Sequence, residues 1–465
     1  MNEFDVVIVG AGPGGYVCAI RAAQLGKKVA IVEKQFLGGI CLNWGCIPTK
    51  TLLSNAALAH TLRERSKEFG ISFDNLTLDY SAAVKRSRTV SDRLVKGVGF
   101  LMKKNNIAVF MGTAKLKTRD TMEVKDAAGK TETLKAKDIV IATGSNFASL
   151  PNIPVDGKQV ITFWEAIVQE SLPKSVLVIG AGAMGVEFAT VWNSYGSQVT
   201  LVEMLPRIVP LEDEEISTEL TRSFKKRGMQ IFTGSRVSSV KPGKGKVTVI
   251  VDAPDGQKTV EVEQVLIATG FRPNTEDLGL KEAGVTLTER SFIQVDDFSA
   301  TNVPGIWAIG DVTGKLLLAH VASSMGIICA EKMAGLDPEP FDINLIPRAT
   351  YCEPQVGSFG MSEAQAKEKG YTVKTGRFNF QANGKALGLG NYSGFVKVIV
   401  DAKYGEILGA AMIGESVSEL LPEFTLARRN ELTIEDIAHN VHAHPTLSEA
   451  IQEAAEDALG RSIQQ

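Results

Sequence analysis

Two cysteines near the start of the chain have the types and spacing to do redox or metal chemistry. Cys41 and Cys46 stand five positions apart in the stretch GGICLNWGCIPTK, residues 38–50. A zinc site usually needs a second ligand pair elsewhere in the chain. The other three cysteines are scattered and form no second pair: Cys18, Cys329 and Cys352. The pair is therefore either a disulfide or two small buried residues.

A disulfide sets a condition on the backbone between the two cysteines. In a regular α-helix, Cα atoms five residues apart are about 8.6 Å from each other, whereas a disulfide needs less than about 7 Å. Gly45 loosens the backbone at this point, and Pro48 suits the first turn of a helix that begins after Cys46. The helix N-terminus and the nearby charge of Lys50 would both stabilise a thiolate, which favours a redox-active pair.

The elements that would surround these cysteines contain one dinucleotide-binding pattern twice. A strand-like segment, a glycine-rich turn, a helix and a second strand ending in an acid begin near residue 4 and again near residue 175. In both copies the acid follows the first glycine by 23 residues. The residues are Gly10, Gly12, Gly15 and Glu33 in the first copy and Gly180, Gly182, Gly185 and Glu203 in the second.

The spacing has a chemical reason. The first glycine makes the turn, the second lets the backbone approach a pyrophosphate, the third lets helix and strand pack closely, and the acid accepts a bond from a ribose hydroxyl. Two copies in register predict two bound dinucleotides. Glu203 would repel a 2′-phosphate and so favours NAD over NADP, although the cation Arg207 follows four residues later. A flavin can accept electrons from a thiolate and exchange a hydride with NAD, so FAD is predicted for the first copy.

Three of the five histidines lie close together near the C-terminus: His439, His442 and His444. A metal cluster is conceivable, with His439 and His442 on one helical face. The proline after His444 forces that residue out of the helical region. Thr446 and Glu449 match a capping box, which by itself would account for Glu449. Alternatively, His444 is the base that thiol chemistry requires, with Glu449 orienting it.

Length and charge narrow the class of protein. The chain has 465 residues, room for about three domains. Its net charge of −3 suggests neither nucleic acid nor a membrane surface as the main partner. The few dispersed cysteines, and the absence of a leader segment before the first strand, fit a reducing cytoplasm. The acidic run 211–220 and the basic run 224–228 predict one solvated helix, with acids in its first turn and cations in its last.

Together these segments resemble the flavin-dependent pyridine nucleotide–disulfide oxidoreductases over nearly the whole chain. Within that family the chain is most similar to the members that oxidise dihydrolipoamide. The resemblance rests on the cysteine segment, both glycine motifs and six shorter segments. These are IATGS (141–145), LIATGFRPN (266–274), VPGIWAIGDV (303–312), LAH (318–320), ANGKAL (382–387) and HAHPTLSEA (442–450).

The resemblance implies an α/β fold with two Rossmann-like dinucleotide-binding domains plus a C-terminal α+β dimerisation domain. Residues 1–147 would form the first part of the FAD-binding domain, 148–275 the NAD-binding domain, 276–345 a central domain that completes the FAD site, and 346–465 the dimerisation domain. The implied protein is a homodimer with an active site shared between subunits. Its partner would be the lipoyl domain of a 2-oxo acid dehydrogenase or glycine cleavage complex.

The resemblance also implies residue roles. Cys41 would exchange with the substrate, Cys46 would contact the flavin, and His444 with Glu449 would form the base pair. Besides the glycines and acids of the two motifs, the implied cofactor-binding residues are Lys50, Thr143, Gly144, Glu187, Gly270, Asp311, Ala319 and His320. Among these, Lys50 would lie near the flavin ring and pair with Glu187, and Asp311 would bind the FAD ribitol.

The expected reaction is the oxidation of protein-bound dihydrolipoamide with reduction of NAD, through a Cys41–Cys46 disulfide and FAD. Two alternatives stand beside it. One is an NADH-dependent reductase of another disulfide on the same scaffold, and the other is a redox-inert flavoprotein that serves as a binding subunit. Glutathione reductase would have cations where Glu203 stands, and mercuric reductase has a C-terminal cysteine pair that ALGRSIQQ, residues 458–465, lacks.

Overall fold

The computed structural model describes residues 2–464 and confirms the α/β class. The N-terminal part contains β1 (Asn2–Val9), α1 (Pro13–Gln24), β2 (Val29–Glu33), α2 (Gly39–Asn43), α3 (Cys46–His60), α4 (Tyr80–Lys104), β3 (Ala108–Met111), β4 (Thr113–Thr118), β5 (Thr121–Lys125), β6 (Thr131–Ile141) and β7 (Ser145–Phe147). None of the helices within residues 2–464 is both long and apolar enough to cross a bilayer.

The middle of the chain adds a second group of strands and helices. They are β8 (Val160–Ile161), α5 (Phe163–Ala166), β9 (Ser175–Ile179), α6 (Ala183–Tyr195), β10 (Gln198–Val202), α7 (Glu214–Lys226), β11 (Gln230–Phe232), β12 (Arg236–Pro242), β13 (Val247–Ala253), β14 (Gly256–Val262), β15 (Gln264–Ile267) and β16 (Phe271–Pro273). Next come β17 (Ile306–Ala308) and α8 (Ala319–Met333).

The C-terminal part is built from a third group. It contains β18 (Arg348–Thr350), β19 (Gln355–Gly360), α9 (Glu363–Glu368), β20 (Val373–Asn379), α10 (Gly384–Leu389), β21 (Phe395–Asp401), β22 (Ile407–Gly414), α11 (Leu421–Arg429), α12 (Ile434–His439) and α13 (Glu449–Ala458). Its five strands pair antiparallel in the order β18-β19-β22-β21-β20. This arrangement of helices around an antiparallel sheet is the expected α+β unit.

The first sheet gathers the predicted flavin residues at one edge. β1 pairs in parallel with β2 and β6, and β17 pairs in parallel with β6. The carboxyl ends of parallel strands meet at the same edge, where ligands bind in open α/β sheets. The glycine turn after β1, the segment after β6 and Asp311 after β17 therefore face one cleft. α8 packs closely on α1 at Gly326, where only a glycine fits. A Cβ at this position would lie 2.7 Å from the carbonyl oxygen of Gly14.

The second sheet repeats this arrangement for the second motif. Its strands run parallel in the order β11-β10-β9-β15-β8, and β12–β14 form a separate antiparallel meander. The chain enters this unit through β7 and leaves it through β16, and these two strands pair antiparallel. The expected domain boundaries at residues 147, 275 and 345 stay predictions.

The acidic helix differs from its prediction. α7 has acids in its first turn and Lys225 and Lys226 in its last, as expected. Its acidic end, however, is not simply solvated, because Asp213 and Glu215 form ion pairs with Lys397 of β21. The prediction of a solvated helix was wrong at this end, since the cation that pairs with these acids lies far away in the sequence.

The packing of α13 on β20 makes Gly376 a test of the fold. A Cβ there would lie 2.0 Å from the carbonyl oxygen of Ala454 in α13. Gly376→Ala should lower the free energy of unfolding by about 1–3 kcal/mol, the usual cost of overpacking. Gly388→Ala is the control, because nothing lies within 4 Å of its added Cβ. Chemical denaturation should find the control no less stable than wild type; equal stability of all three proteins would contradict the packing argument.

Candidate active site

Cys41 and Cys46 lie on two separate helices. α2 ends at Asn43, and α3 begins at Cys46 with Gly45 as its N-cap. Space around Gly45 is tight, since a Cβ there would lie 3.3 Å from both the side chain and the carbonyl oxygen of Ile40. The backbone between the cysteines is therefore not a regular helix, which is the condition that a disulfide between them imposes.

The two thiols differ in acidity. A hydrogen bond from the Cys41 thiol to Cys46 raises the pKa of Cys41, and burial raises it further. The same hydrogen bond lowers the pKa of Cys46 against the opposing effect of burial, and the charge of Lys50 lowers it further. In the dithiol state Cys46 is thus the more acidic of the two thiols, and Cys41 is the hydrogen-bond donor that stabilises its thiolate form.

Lys50 lies one turn after Cys46 on α3 and pairs with Glu187 on α6. The Lys50 Nζ atom is 2.9 Å from Glu187 Oε1 and 2.8 Å from Oε2. Burial lowers the pKa of Lys50, but Glu187 outweighs it and holds that pKa above its ordinary value. Glu187 is 4% exposed and also accepts a hydrogen bond of 2.9 Å from the Tyr351 amide. The ion pair therefore keeps a fixed cation beside the thiols.

One cleft, with a volume of about 370 Å³, contains most of the residues predicted for the flavin site. Helices α2 and α3, the glycine turn after β1 and the segments after β6 and β17 all contribute to its walls. The predicted residues that line it are Gly10, Gly12, Glu33, Cys41, Cys46, Lys50, Thr143, Gly144, Glu187, Asp311 and Ala319. The cysteine pair and the first glycine motif thus share one cavity.

The first glycine motif fits a dinucleotide for a structural reason. A Cβ would lie 2.3 Å from a backbone carbonyl oxygen at Gly10 and 1.9 Å from one at Gly15, so the protein itself requires these two glycines. At Gly12 the nearest atom would be 4.0 Å away, so packing alone does not explain this glycine. The close approach of a pyrophosphate does. Glu33 Oε2 accepts a hydrogen bond of 2.8 Å from the Ala11 amide, which fixes the orientation of its carboxylate beside the glycine turn.

The second motif repeats the same geometry. A Cβ would lie 2.5 Å from a carbonyl oxygen at Gly180 and 2.0 Å from one at Gly185, and nothing lies within 4 Å at Gly182. The Ala181 amide donates to Glu203 Oε2 at 2.8 Å, matching the bond that orients Glu33. Both turns therefore leave room at the middle glycine alone, as two dinucleotides would require.

Two polar residues that the sequence did not single out hold the flavin cleft together. Ser145 donates a hydrogen bond of 2.7 Å to Asp311, whose pKa is raised by burial despite that bond. Asn274 donates to the Thr143 carbonyl at 2.9 Å, and the Thr143 hydroxyl donates to the Asn274 carbonyl at 2.7 Å. Both residues stand inside the family-like segments IATGS and LIATGFRPN, which is the signal that could have identified them.

The remaining predicted cofactor residues lie at different distances from the cleft. Ala319 begins α8 and lines it, whereas the next residue, His320, is exposed and has its Nε2 atom 2.8 Å from the Pro347 carbonyl oxygen. Gly270 follows β15 with φ +105° and has open space around it. Leu317 and Met184, which were not predicted as site residues, also line the cleft.

His444 and Glu449 form a pair away from this cleft. His444 Nδ1 is 2.8 Å from Glu449 Oε1, while Glu449 Oε2 accepts a bond of 2.8 Å from the Thr446 amide. Burial raises the pKa of Glu449, but these two contacts hold it below its ordinary value. The predicted capping box is only half formed, because the Thr446 hydroxyl donates to Ala443 and α13 begins at Glu449. The His444 side chain is 78% exposed in the single chain.

The other two histidines each pair with a different carboxylate. His439 is the last residue of α12 and lies 3.5 Å from Glu435. His442 comes after the helix, and a hydrogen bond of 2.9 Å from its Nε2 atom to Glu423 raises its pKa. The shared helical face on which the metal alternative depended was therefore a wrong prediction, since α12 ends before His442.

Comparison with known proteins agrees with this geometry. Residues 4–326 match the pyridine nucleotide-disulphide oxidoreductase family, and residues 346–455 match the dimerisation domain of the same family. The chain belongs to this family. The expected fold class, with two dinucleotide-binding domains and a dimerisation domain, is thereby confirmed, and so are FAD and NAD as cofactors. The second match also supports a homodimer.

Relatives resemble this pyridine nucleotide–disulphide oxidoreductase over its full length. Dihydrolipoyl dehydrogenase of Mycobacterium leprae is 49% identical, with 100% of both chains covered. That of Chlorobaculum tepidum is 44% identical, with 98% of this chain and 97% of the relative covered. The crystal structure of LpdA from Mycobacterium tuberculosis has a TM-score of 0.90 at 27% identity, covering 98% of this chain and 99% of that one. RclA of Escherichia coli, an HOCl-induced flavoprotein disulfide reductase, has a TM-score of 0.86 at 26% identity, covering 97% and 99%.

Lys50→Met should raise the pKa of Cys46, because it removes the cation that favours the thiolate and leaves Glu187 unpaired beside it. The measurement is the long-wavelength absorbance of a thiolate against oxidised flavin, followed against pH in the two-electron-reduced enzyme. The band persists at pH values above the pKa of Cys46, so its midpoint should move to higher pH in the variant. Lys50→Arg keeps the charge and should stay near wild type. An unchanged or lower midpoint in Lys50→Met would contradict the electrostatic role.

Proposed function

We propose that this flavoprotein disulfide oxidoreductase is a dihydrolipoyl dehydrogenase, which oxidises dihydrolipoamide on a lipoyl domain and reduces NAD. The relatives that share 44–49% identity over nearly their whole length carry this name. The observation that carries the chemistry is the cysteine pair beside the ion pair of Lys50 and Glu187, in which the pKa of Cys41 is raised and that of Cys46 is lowered. The cleft that contains this pair also contains the first dinucleotide motif.

The reaction begins with the Cys41–Cys46 disulfide. A thiolate of the substrate attacks the sulfur of Cys41, the bond between the cysteines breaks, and Cys46 leaves as a thiolate beside Lys50. His444 takes the proton of the second substrate thiol, whose sulfur then attacks the mixed disulfide and closes the lipoamide disulfide. Cys41 leaves and takes up the proton from His444, so that the enzyme ends with a Cys41 thiol and a Cys46 thiolate. The disulfide bond has then moved from the enzyme to the substrate, and two electrons have moved from the substrate to the enzyme. When bound, FAD supplies the route by which these electrons reach NAD as a hydride.

Three side chains prepare this chemistry. Lys50, fixed by Glu187, stabilises the departing Cys46 thiolate. Glu449 accepts the hydrogen bond from Nδ1 of His444, which leaves Nε2 as the atom that accepts a proton. The lowered pKa of Glu449 keeps its carboxylate charged, so it also stabilises the imidazolium that forms.

The homodimer shares its active sites between subunits in this proposal. His444 is largely exposed in the single chain, and neither it nor Glu449 lines the cleft of the cysteine pair. A base is needed at that cleft, so it comes from the second subunit. We further propose a cytoplasmic enzyme whose lipoyl domain belongs to a 2-oxo acid dehydrogenase or glycine cleavage complex.

A steady-state assay with free dihydrolipoamide and NAD separates this function from its alternatives. Activity with dihydrolipoamide is expected, together with the long-wavelength band after two-electron reduction. A protein with flavin but neither property would be the redox-inert binding subunit. A protein that has the band but turns over only another disulfide with NADH would be a reductase on the same scaffold, as RclA is named.

Glu203 should decide the choice between NAD and NADP. The wild type is expected to prefer NAD, because Glu203 accepts a ribose hydroxyl but repels a 2′-phosphate. Glu203→Gln keeps an acceptor and loses the charge, so the ratio of kcat/KM values for NAD over NADP should fall about tenfold, equivalent to about 1.4 kcal/mol. Glu203→Ala should lose NAD binding as well. Equal use of both cofactors by wild type would mean that Arg207 overrides Glu203.

Hybrid dimers test which subunit supplies His444. Cys41→Ser and His444→Ala should each be nearly inactive, the latter by about 10²–10⁴-fold for a general base. The two variants are then unfolded, mixed and refolded together. If the site is shared, one site of each hybrid receives both changes and the other is intact, so about a quarter of wild-type activity should return. Hybrids that form, as seen by mass spectrometry, but stay inactive would refute the shared site.

A further inference from the structure

A buried ion cluster joins the C-terminal part to the helix that follows the second dinucleotide motif. The Nζ atom of Lys397, on β21, lies 2.6 Å from Glu215, 2.8 Å from Glu363 and 3.4 Å from Asp213. Its side chain is only 5% exposed. Lysine is almost never buried unless it is paired, and here three carboxylates from two parts of the chain surround it. The cluster therefore fixes where the N-terminus of α7 lies.

Further contacts tie the same end of α7 to the C-terminal part. Arg348 Nε is 3.5 Å from Glu212, and the Ser358 hydroxyl donates to the same carboxylate. Arg377 pairs with Glu215 next to Lys397. Within the sequence these partners are more than a hundred residues apart, so the contacts reflect the packing of separate units rather than local structure.

Hydrogen bonds connect the anchored N-terminal end of α7 to the NAD motif. Residues 204–212 run from Glu203 to the ion cluster. Within them the Val209 amide donates to the Ala181 carbonyl at 2.8 Å, inside the glycine-rich turn. The Ser217 hydroxyl of α7 donates to the Val209 carbonyl at 3.4 Å. Val209 has φ +39°, a conformation that a β-branched residue keeps only when its surroundings impose it.

We infer that Lys397 is a positioning residue for NAD. Lys397 holds the N-terminus of α7, which in turn holds the segment 204–212. That segment keeps the glycine-rich turn and Glu203 in the arrangement that receives the adenosine ribose. The inference rests on the proposed role of Glu203 in binding NAD. Without Lys397, the carboxylates of Asp213, Glu215 and Glu363 repel one another. The segment then leaves the competent arrangement, which raises the apparent dissociation constant by the fraction lost.

The ion cluster around Lys397 affects the geometry of the protein more than its stability. A buried ion pair often contributes little net stability, because desolvation offsets the attraction between the charges. A cluster with carboxylates from both units does, however, select one relative position of those units. That selection predicts an effect on NAD binding that a general loss of stability would not produce.

The test measures NAD binding to the oxidised holoenzyme by calorimetry. Lys397→Met should raise the dissociation constant of NAD about tenfold, if about one molecule in ten keeps the competent arrangement. The KM for dihydrolipoamide, the flavin content and kcat at saturating NAD should stay within about twofold of wild type. Binding of NADP should change less than that of NAD, since NADP gains nothing from Glu203. Lys397→Arg keeps a cation and should recover most of the NAD affinity.

Lys246→Met is the matched control. Lys246 pairs with Glu261 at 2.7 Å, but its side chain is 57% exposed and it lies on the antiparallel meander. Losing this exposed lysine–glutamate pair should leave NAD binding unchanged. Arg348→Met removes a less buried anchor on Glu212 and should shift NAD binding in the same direction by a smaller factor. It provides the measurement if Lys397→Met does not fold.

The outcomes separate this inference from the proposed function. If Lys397→Met and Arg348→Met lower the melting temperature but leave NAD binding unchanged, Lys397 is a structural residue and the inference is overturned. A fall in kcat without weaker NAD binding would overturn it too. If Glu203→Gln nevertheless alters the preference for NAD over NADP, the proposed NAD site survives. If Glu203→Gln also has no effect, the NAD site was wrongly assigned and both proposals fall.

Discussion

The ion pair between Lys50 and Glu187 connects the redox centre to the nicotinamide side of the molecule. Lys50 stands on the helix that begins with Cys46, and Glu187 stands on the helix that begins with the second glycine motif. The same carboxylate accepts a hydrogen bond from the Tyr351 amide, so it also contacts the start of the C-terminal part. One nearly buried carboxylate thus fixes a cation beside the thiols and joins three parts of the chain. Without it the thiolate would lose its neighbouring charge, and the two dinucleotide motifs would lose a direct link.

The two motifs show how protein and ligand each constrain a turn. In both copies the outer glycines are required by nearby backbone oxygens, and only the middle glycine, Gly12 or Gly182, has free space. The fold alone would tolerate a side chain there, whereas a pyrophosphate against the backbone would not. The carboxylates of Glu33 and Glu203 are oriented by equivalent amides. This repetition is why a pattern in sequence was enough to predict two nucleotide sites and their positions along the strands.

The sequence predicted what depends on short spacing and missed what depends on distant partners. The helix start beside Cys46, the glycine turns and the strands on either side of them follow from local backbone rules. The acids of α7 were taken for a solvated end, because Lys397 lies more than 180 residues further along and nothing local marks it as their partner. The capping box at Thr446 was half right for a local reason. Glu449 does reach the Thr446 amide, but the Thr446 hydroxyl has a nearer acceptor in Ala443.

The unit that carries the second motif is held from two sides by ion pairs. Glu187 on α6 binds Lys50 of the cysteine helix, and Asp213 with Glu215 at the start of α7 bind Lys397 of the C-terminal part. Hydride transfer requires the reacting atoms to be held about 3–3.5 Å apart, so the link between Lys50 and Glu187, which lies beside the thiols, bears on the rate. Lys50 therefore ties this unit to the thiols, and Lys397 ties it to the C-terminal part, where we expect its effect on the affinity for NAD.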